Sequence, residues 1–438
     1  MASPSNVTVH TIRAILNEVI DSLESPDYAA KLDEAKEAAG NEMLKMMQLV
    51  FPMVVQIEME TIKRHGFSGS REGSVFLFDA LILESTNAQC PIISDNRISN
   101  FKMKKRKYYQ FFVCACVLVG VYYFFGLGDY MFLKSYDDDF DYPLNIDIRP
   151  IVDEVLSGKK PSVAPTNYYP YRFLTNSGKC STLEKLDLFI IVKSAMGNFG
   201  QRNAIRQTYG QENLIPGTIV RTLFFLGVDS PKSDTQKLID IEMADYKDII
   251  QIDFHDSYYN NTIKTMMSFR WLYEHCPTAD YYLFTDDDMF ISVKNLLDYV
   301  HGGLTDSTVS DNQDIYAGYV FKSAPQRIHS SKWRVSLEEY PWNKWPPYVT
   351  AGAYVVSNKY MKMLYAGSLF VKHFRFDDIY LGIVAKKVGI NPVHCPNFHF
   401  YKKFYSLNGY KNVIASHGYD NPADLVTVWN EQNEQNKP

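Results

Sequence analysis

From Tyr108 to Leu127 the chain carries no charged residue and is rich in Phe, Val, Leu and Tyr, about long enough to cross a bilayer as one helix. A buried core helix is the alternative, but few soluble helices are apolar all round beside so basic a flank. Lys102, Lys104, Lys105, Arg106 and Lys107 precede the stretch and Asp129 follows it, so the positive-inside rule leaves the N-terminal side in the cytosol. The expectation is a single-pass type II membrane protein whose residues 128–438 face an oxidising lumen. The polar N-terminus has no apolar region of the kind a cleavable signal needs. A length of 438 residues leaves room for two or three domains, and a net charge of −5 offers no footprint for nucleic acid, which is not expected as a partner.

Before the span, Ile12, Ile15, Leu16, Val19, Ile20 and Leu23 recur at helical spacing, as do Ala39, Met43, Met46, Met47, Val50, Val54 and Ile57. Ser25-Pro26-Asp27 breaks the two helices apart and Gly66 closes the second. Residues 1–101 therefore read as an all-α cytosolic module, its methionine stripe a core rather than a groove. Residues 128–182, acidic and rich in Pro and Tyr with little periodicity, read as a lumenal stem.

The folded lumenal domain is expected over 183–430. Leu186 to Val192, Thr222 to Leu226 and Ile249 to Phe254 have the look of short buried strands, and Thr262 to Tyr273 and Val293 to Val300 of helices. Their alternation predicts an α/β fold, a sheet with helices on both faces. Within it, Asp286-Asp287-Asp288 ends the apolar run Tyr281 to Thr285. In an extended strand alternate side chains share a face, so Asp286 and Asp288 are expected to hold one hard divalent cation against a polyphosphate. Asp137-Asp138-Asp139 is the same triplet with no strand leading into it, and is expected to be solvated. Six cysteines show no zinc spacing; Cys180, Cys276 and Cys395 lie on the lumenal side and permit one bridge and one free thiol, the pair left open. Asn260-Asn261-Thr262 is a lumenal glycosylation sequon.

Five segments occur in order: KSAMGNFGQRNAIRQTYG, DFHDSYYNNTIKT, YYLFTDDDMFIS, PPYVTAGAYVVS and FDDIYLGIVAKKVGI. Together they resemble the β-1,3-glycosyltransferases of family thirty-one, the β-1,3-galactosyltransferase type, over about residues 183–430. The resemblance implies a GT-A fold, a UDP-sugar donor, Mn²⁺ with Mg²⁺ as the alternative, inversion at the anomeric carbon and a Golgi membrane address. It lays the metal-binding motif on Asp286 and Asp288, with Asp287 beside the donor. His417, in ASHGYDNPADLVTVW, becomes a candidate metal ligand, although a lone histidine is more often structural. Asp378 matches the general base that takes the acceptor proton, and would also stabilise the start of the helix that follows. Arg202 and Arg206, four apart on a helix, are candidates for nucleotide contact or a plain surface pair. Asp256, Tyr258 and Lys264 fall in the donor-side segment. Gly352 matches a glycine-rich acceptor-side strand that here has lost a cysteine and two glycines.

Residues 11 to 81 separately resemble the small helical cytosolic protein C-ten family, notably through KLDEAKEAAGNEMLKMMQLVFPMVVQIEMETIKRHGFS. Met103 opens MKKRKYYQFFV, itself an adequate start for a membrane protein, so residues 1–102 read as a fused module or as a segment outside the native translated chain. The expected function is transfer of galactose from UDP-galactose in β-1,3 linkage to a glycan on glycoprotein or glycolipid. Transfer of N-acetylglucosamine from its UDP donor is the alternative within the class. Outside it stand a non-catalytic glycan-binding protein and a membrane-tethered helical module serving an unknown protein partner.

Overall fold

The computed structural model describes residues 129–435, apart from 143–145, 181–185, 230–232, 303–313 and 330, and before them only Glu18, Ser22, Ser25, Tyr28, Glu60, Thr61, Lys63 and Arg64. The expected membrane helix at 108–127 lies outside the described residues, as does most of the expected helical module; among the described residues no helix is long and apolar enough to cross a membrane. The chain divides into two units, Met1–Leu127 and Gly128–Pro438. In the first, Arg64 pairs with Glu18 at 2.9 Å and the Tyr28 hydroxyl donates to Glu60 at 3.1 Å, so the two helical stretches expected there approach each other.

In the second unit the chain runs α1 (Tyr136–Asp139), α2 (Arg149–Leu156), β1 (Leu186–Lys193), α3 (Phe199–Gln207), β2 (Val220–Val228), α4 (Asp234–Tyr246), β3 (Ile249–His255), α5 (Asn261–His275) and β4 (Ala279–Asp286). It continues through β5 (Phe290–Ile291), α6 (Val293–Val300), β6 (Tyr316–Phe321), β7 (Tyr348–Ser357), α7 (Asn358–Ser368), α8 (Asp377–Val388), β8 (Val393–His394), β9 (Phe398–His399), β10 (Ala415–Ser416) and α9 (Pro422–Gln435). The three expected strands and two expected helices are all present within a residue or two of their expected limits.

Seven strands form one sheet in the order β3-β2-β1-β4-β7-β6-β8, and β5, β10 and β9 form a small second sheet. Strands β3, β2, β1 and β4 are parallel, and β7 then enters antiparallel between β4 and β6. Alternation along β1 sends Phe189 and Ile191 into a core shared with α5, α7 and α8, and Leu188, Ile190 and Val192 into a second core beneath α3, α6 and α9. Both faces are covered, as the strand-helix alternation predicts.

The chain leaves β1 for β2 on one side and returns through β4 on the other, so the carboxyl ends of β1 and β4 bound the crevice where open α/β sheets take their ligands. Their register places Lys193 directly opposite Asp286.

The expected stem needs correction. Ile151 and Val152 of α2, together with Ile148 just before it, Tyr142 and Tyr169, are buried in the first core, and the backbone amides of Thr166 and Asn167 donate to the Leu369 carbonyl. The short apolar face of α2, read as aperiodic because it spans only two turns, packs this segment onto the domain, which thus begins near 129 rather than 183. The Asp137–Asp139 triplet is exposed, as expected. The open disulfide question resolves to Cys180–Cys276, with Cys395 free and buried.

Candidate active site

β4 stops at Asp286 and the next two residues turn, which corrects the expectation of a shared strand face: the three carboxylates of the triplet diverge. Asp286 faces the Lys193 ammonium at 3.1 Å. Asp287 turns inward, where Oδ2 accepts from the Ser194 hydroxyl at 2.6 Å and the Asn198 amide at 3.0 Å. With Oδ2 so occupied, Asp287 holds the turn against Ser194 and Asn198. Asp288 Oδ2 lies 3.1 Å from His417 Nε2, while its Oδ1 is buried with no hydrogen-bond partner.

That orphaned oxygen beside an imidazole nitrogen is a fit for a cation. Among the described residues no three His, Cys, Asp or Glu side chains converge into a ready-made metal cage. Small divalent cations that work on phosphates are bound by one or two carboxylates with the phosphates completing the shell, so a two-ligand protein set suffices. Mixed oxygen and nitrogen donors suit Mn²⁺. Gly352 of β7 keeps this corner open: a Cβ there would meet Met289 Sδ at 3.3 Å and His417 Cδ2 at 4.0 Å. The hydrogen bond to Asp288 draws the His417 proton affinity up against burial, and His417 in turn holds Asp288 below the usual carboxylate range despite its burial. A metal would therefore compete with a proton at Nε2.

On the other side of Lys193 stands Asp377, the first residue of α8. The same ammonium donates to Asp377 Oδ2 at 2.8 Å, and the Thr265 hydroxyl donates to that oxygen at 2.7 Å. Asp286, Lys193 and Asp377 thus form a row across the ends of β4, β1 and α8, with the lysine side chain only 2% exposed. Burial would strip the ammonium of its proton, but the two carboxylates more than reverse that and raise its affinity. Burial likewise opposes charge on Asp377, which Lys193 and Thr265 restore.

Asp378, next in the chain and half-buried, makes no ion pair among the described residues. Its Oδ1 accepts from the Ile379 amide at 2.7 Å, so the helix-start reading is realised. Burial and then the Asp377 charge push its carboxyl up to about 7, leaving a carboxylate poised to take a proton near neutrality. Asp286 is pushed up to about 7 as well, by burial first, with Lys193 opposing and Asp288 adding.

The arginines are corrected. Arg202 is fully buried, and its five N–H groups go to Glu242, to the Ser194 hydroxyl and to the carbonyls of Ala195 and Met196. No donor is left for a phosphate. Arg206 pairs with Glu242 at 2.7 Å and Asp248 at 2.8 Å. Both tie α3 to α4 and to the start of β3 rather than to a nucleotide, and Arg202 reaches the site only by holding Ser194 against Asp287. Lys264 donates to the Ser194 carbonyl at 2.6 Å and pairs with Asp256 at 2.8 Å, which also accepts from the Gly227 amide at 2.9 Å. This pair pins the exit of β1. Tyr258 stands apart from it, 54% exposed.

Lys193, Ser194 and Glu242 were not singled out from sequence. The available signal was a lysine closing the apolar run LFIIV of the strand LDLFIIVK, where a charge has to find a partner.

Comparison with known proteins accords with this geometry. The galactosyltransferase family model matches residues 200–396, and the Protein C10 model matches residues 8–96. A beta-1,3-galactosyltransferase of Drosophila melanogaster, brn, is 39% identical over 70% of this chain and 90% of its own length. The lactosylceramide 1,3-N-acetyl-beta-D-glucosaminyltransferase of Mus musculus is 33% identical over 75% of this chain and 86% of its own. Beta-1,3-galactosyltransferase 1 of Mus musculus is 33% identical over 61% and 80%. A likeness that spans nearly the whole of such enzymes, with a family match that takes in Asp286, Asp288, Asp377 and Asp378, makes this chain a glycosyltransferase and a member of the galactosyltransferase family.

Proposed function

We propose that residues 129–435 form a GT-A type hexosyltransferase of the Golgi lumen, anchored in type II orientation by residues 108–127, that moves galactose from UDP-galactose in β-1,3 linkage to a glycan acceptor. The observation that carries this reading is the Asp288–His417 pair beside the charged row Asp286–Lys193–Asp377, whose last member adjoins Asp378. The 1,3 linkage in the names of the fly and mouse relatives supports it. Residues 8–96 are then a fused cytosolic helical module with a protein partner still to be identified.

Asp288 and His417 would hold Mn²⁺, which when bound supplies Lewis-acid stabilisation of the departing diphosphate. Asp378 accepts the acceptor hydroxyl proton as that oxygen bonds to the anomeric carbon and the bond from this carbon to UDP breaks. Attack opposite the leaving group inverts the centre. Lys193 fixes the spacing of Asp286 and Asp377, and its charge keeps Asp377 ionised so that Asp378 carries the higher proton affinity of the pair.

The test is UDP release by the full chain in detergent, with a donor panel and a mixed glycan acceptor, in Mn²⁺ or EDTA. Turnover from UDP-galactose that requires metal and falls at least about a hundredfold in both Asp288→Ala and Asp378→Asn is expected. Turnover that survives EDTA or either substitution overturns the assignment. Transfer from UDP-N-acetylglucosamine alone replaces the donor, the sugar named for the mouse lactosylceramide enzyme.

A further inference from the structure

Three large aromatic side chains that the core does not use stand together at the surface: Tyr258 is 54% exposed, Tyr259 65% and Trp333 46%. They come from two segments far apart in sequence, the turn after β3 and the long β6–β7 connection. Lys332 joins the segments, its Nζ lying 5.7 Å from the Tyr258 ring centroid and 4.4 Å from that of Trp333. The Tyr258 and Tyr259 rings meet edge to face at 5.7 Å. Among the described residues Lys332 makes no ion pair, so its charge is held by ring faces alone.

The cluster is tied at both ends to the reaction site. On one side, the turn carrying Tyr258 and Tyr259 lies between Asp256 and Lys264, the pair that pins Ser194 at the end of β1. On the other, the Arg375 guanidinium donates to the Arg334 carbonyl, next to Trp333, and pairs with Glu339. Arg375 stands over the Phe376 ring at 4.7 Å, immediately before Asp377 and Asp378. Three exposed rings around an ammonium that makes no ion pair, linked by these contacts to Ser194 on one side and to the start of α8 on the other, offer a surface for a ligand to cover.

Resting on the transferase reading above, we propose that Tyr258, Tyr259 and Trp333 form a stacking platform for the acceptor oligosaccharide, with Lys332 donating to its hydroxyls. A pyranose has an apolar C–H face that fits an aromatic ring and a rim of hydroxyls that fits an ammonium, and the platform offers both. It binds the sugar next to the one that reacts, because the reacting hydroxyl has to reach Asp378 while the platform sits beyond Arg375. The preference for a longer acceptor is thereby built into two segments that touch neither Asp288 nor His417.

The test compares wild-type full chain with Trp333→Ala, Tyr259→Ala and Trp333→Phe on methyl β-lactoside, methyl N-acetyl-β-lactosaminide and the corresponding methyl monosaccharides. The alanine variants are expected to raise the disaccharide KM about three- to tenfold, with kcat and donor KM shifted less than about twofold, while Trp333→Phe restores most of the loss. The monosaccharide KM is expected to move little. An unchanged disaccharide KM in both alanine variants overturns the platform, as does an equal fall in acceptor-free UDP release, which marks a donor or folding defect. If wild type transfers to none of these sugars, the failure belongs to the transferase reading. A glycan array probed with wild type and Trp333→Ala in UDP and Mn²⁺ then decides the platform: binding lost in the variant supports it, and identical or absent binding overturns it.

Discussion

At the scale of single residues, the site separates two acids that adjoin in sequence by giving a cation to only one of them. Asp377 meets Lys193 and Thr265, whereas Asp378 meets a backbone amide, burial and its neighbour's charge, and is pushed up to about 7. In the proposed role of acceptor base it would work only when deprotonated, so kcat/KM is expected to climb about tenfold per pH unit toward a plateau above about 7. Asp378→Asn should give a low, flat profile; a wild-type profile flat from pH 5 to 9 would remove Asp378 from the role. The residues legible beforehand, Asp288, Asp378 and His417, sit in local motifs. Lys193 does not, and only the pairing of β1 with β4 brings it beside Asp286 across 93 positions of sequence. The shared face expected of the Asp286–Asp288 triplet fails for the converse reason: the motif names a triplet, and a turn decides which way each carboxylate points.

At the scale of elements, α3 and α4 are locked by a charge network that helical spacing foretells only in part. Four residues apart, Arg202 and Arg206 do share a face, but that face is turned to Glu242 and Asp248. Spacing fixes relative direction along a helix and says nothing of what lies opposite. The two readings differ in what they expect from Arg202→Ala. A nucleotide contact would raise the donor KM and leave the fold intact. The structure expects about 3–5 kcal/mol of lost stability in urea unfolding, because Glu242 stays buried with one partner fewer and the Ser194 hydroxyl loses its donor. Arg202→Lys should recover little of it, since one ammonium cannot replace five N–H groups in a planar fork. The strands and central helices were readable because their apolar runs are long. The helix Arg149–Leu156 was not, since only Ile151 and Val152 within it are buried.

At the scale of the whole molecule, Cys180–Cys276 closes 96 residues that contain β1, β2, β3 and the two helices between them. In the chain-entropy picture a loop of that length is worth about 4–5 kcal/mol. Thermal melting with and without reductant should show the loss, and Cys276→Ala should match the reduced protein; equal melting temperatures would mean the bridge adds nothing. Composition could count the lumenal cysteines but not pair them, because pairing follows from where α5 ends against the segment before β1. The parallel half inside that loop meets the mixed half at the β1–β4 seam, and the row Asp286–Lys193–Asp377 is stitched across it. On the proposed chemistry the two ends of this row can be inherited on different terms. The turn after β3, the β6–β7 connection and the residues just before α8 are free to be rewritten for a new acceptor, while Asp288 and His417 stay under the demands of one diphosphate. Descendants of such a chain would diversify around one end of the row and hold still at the other.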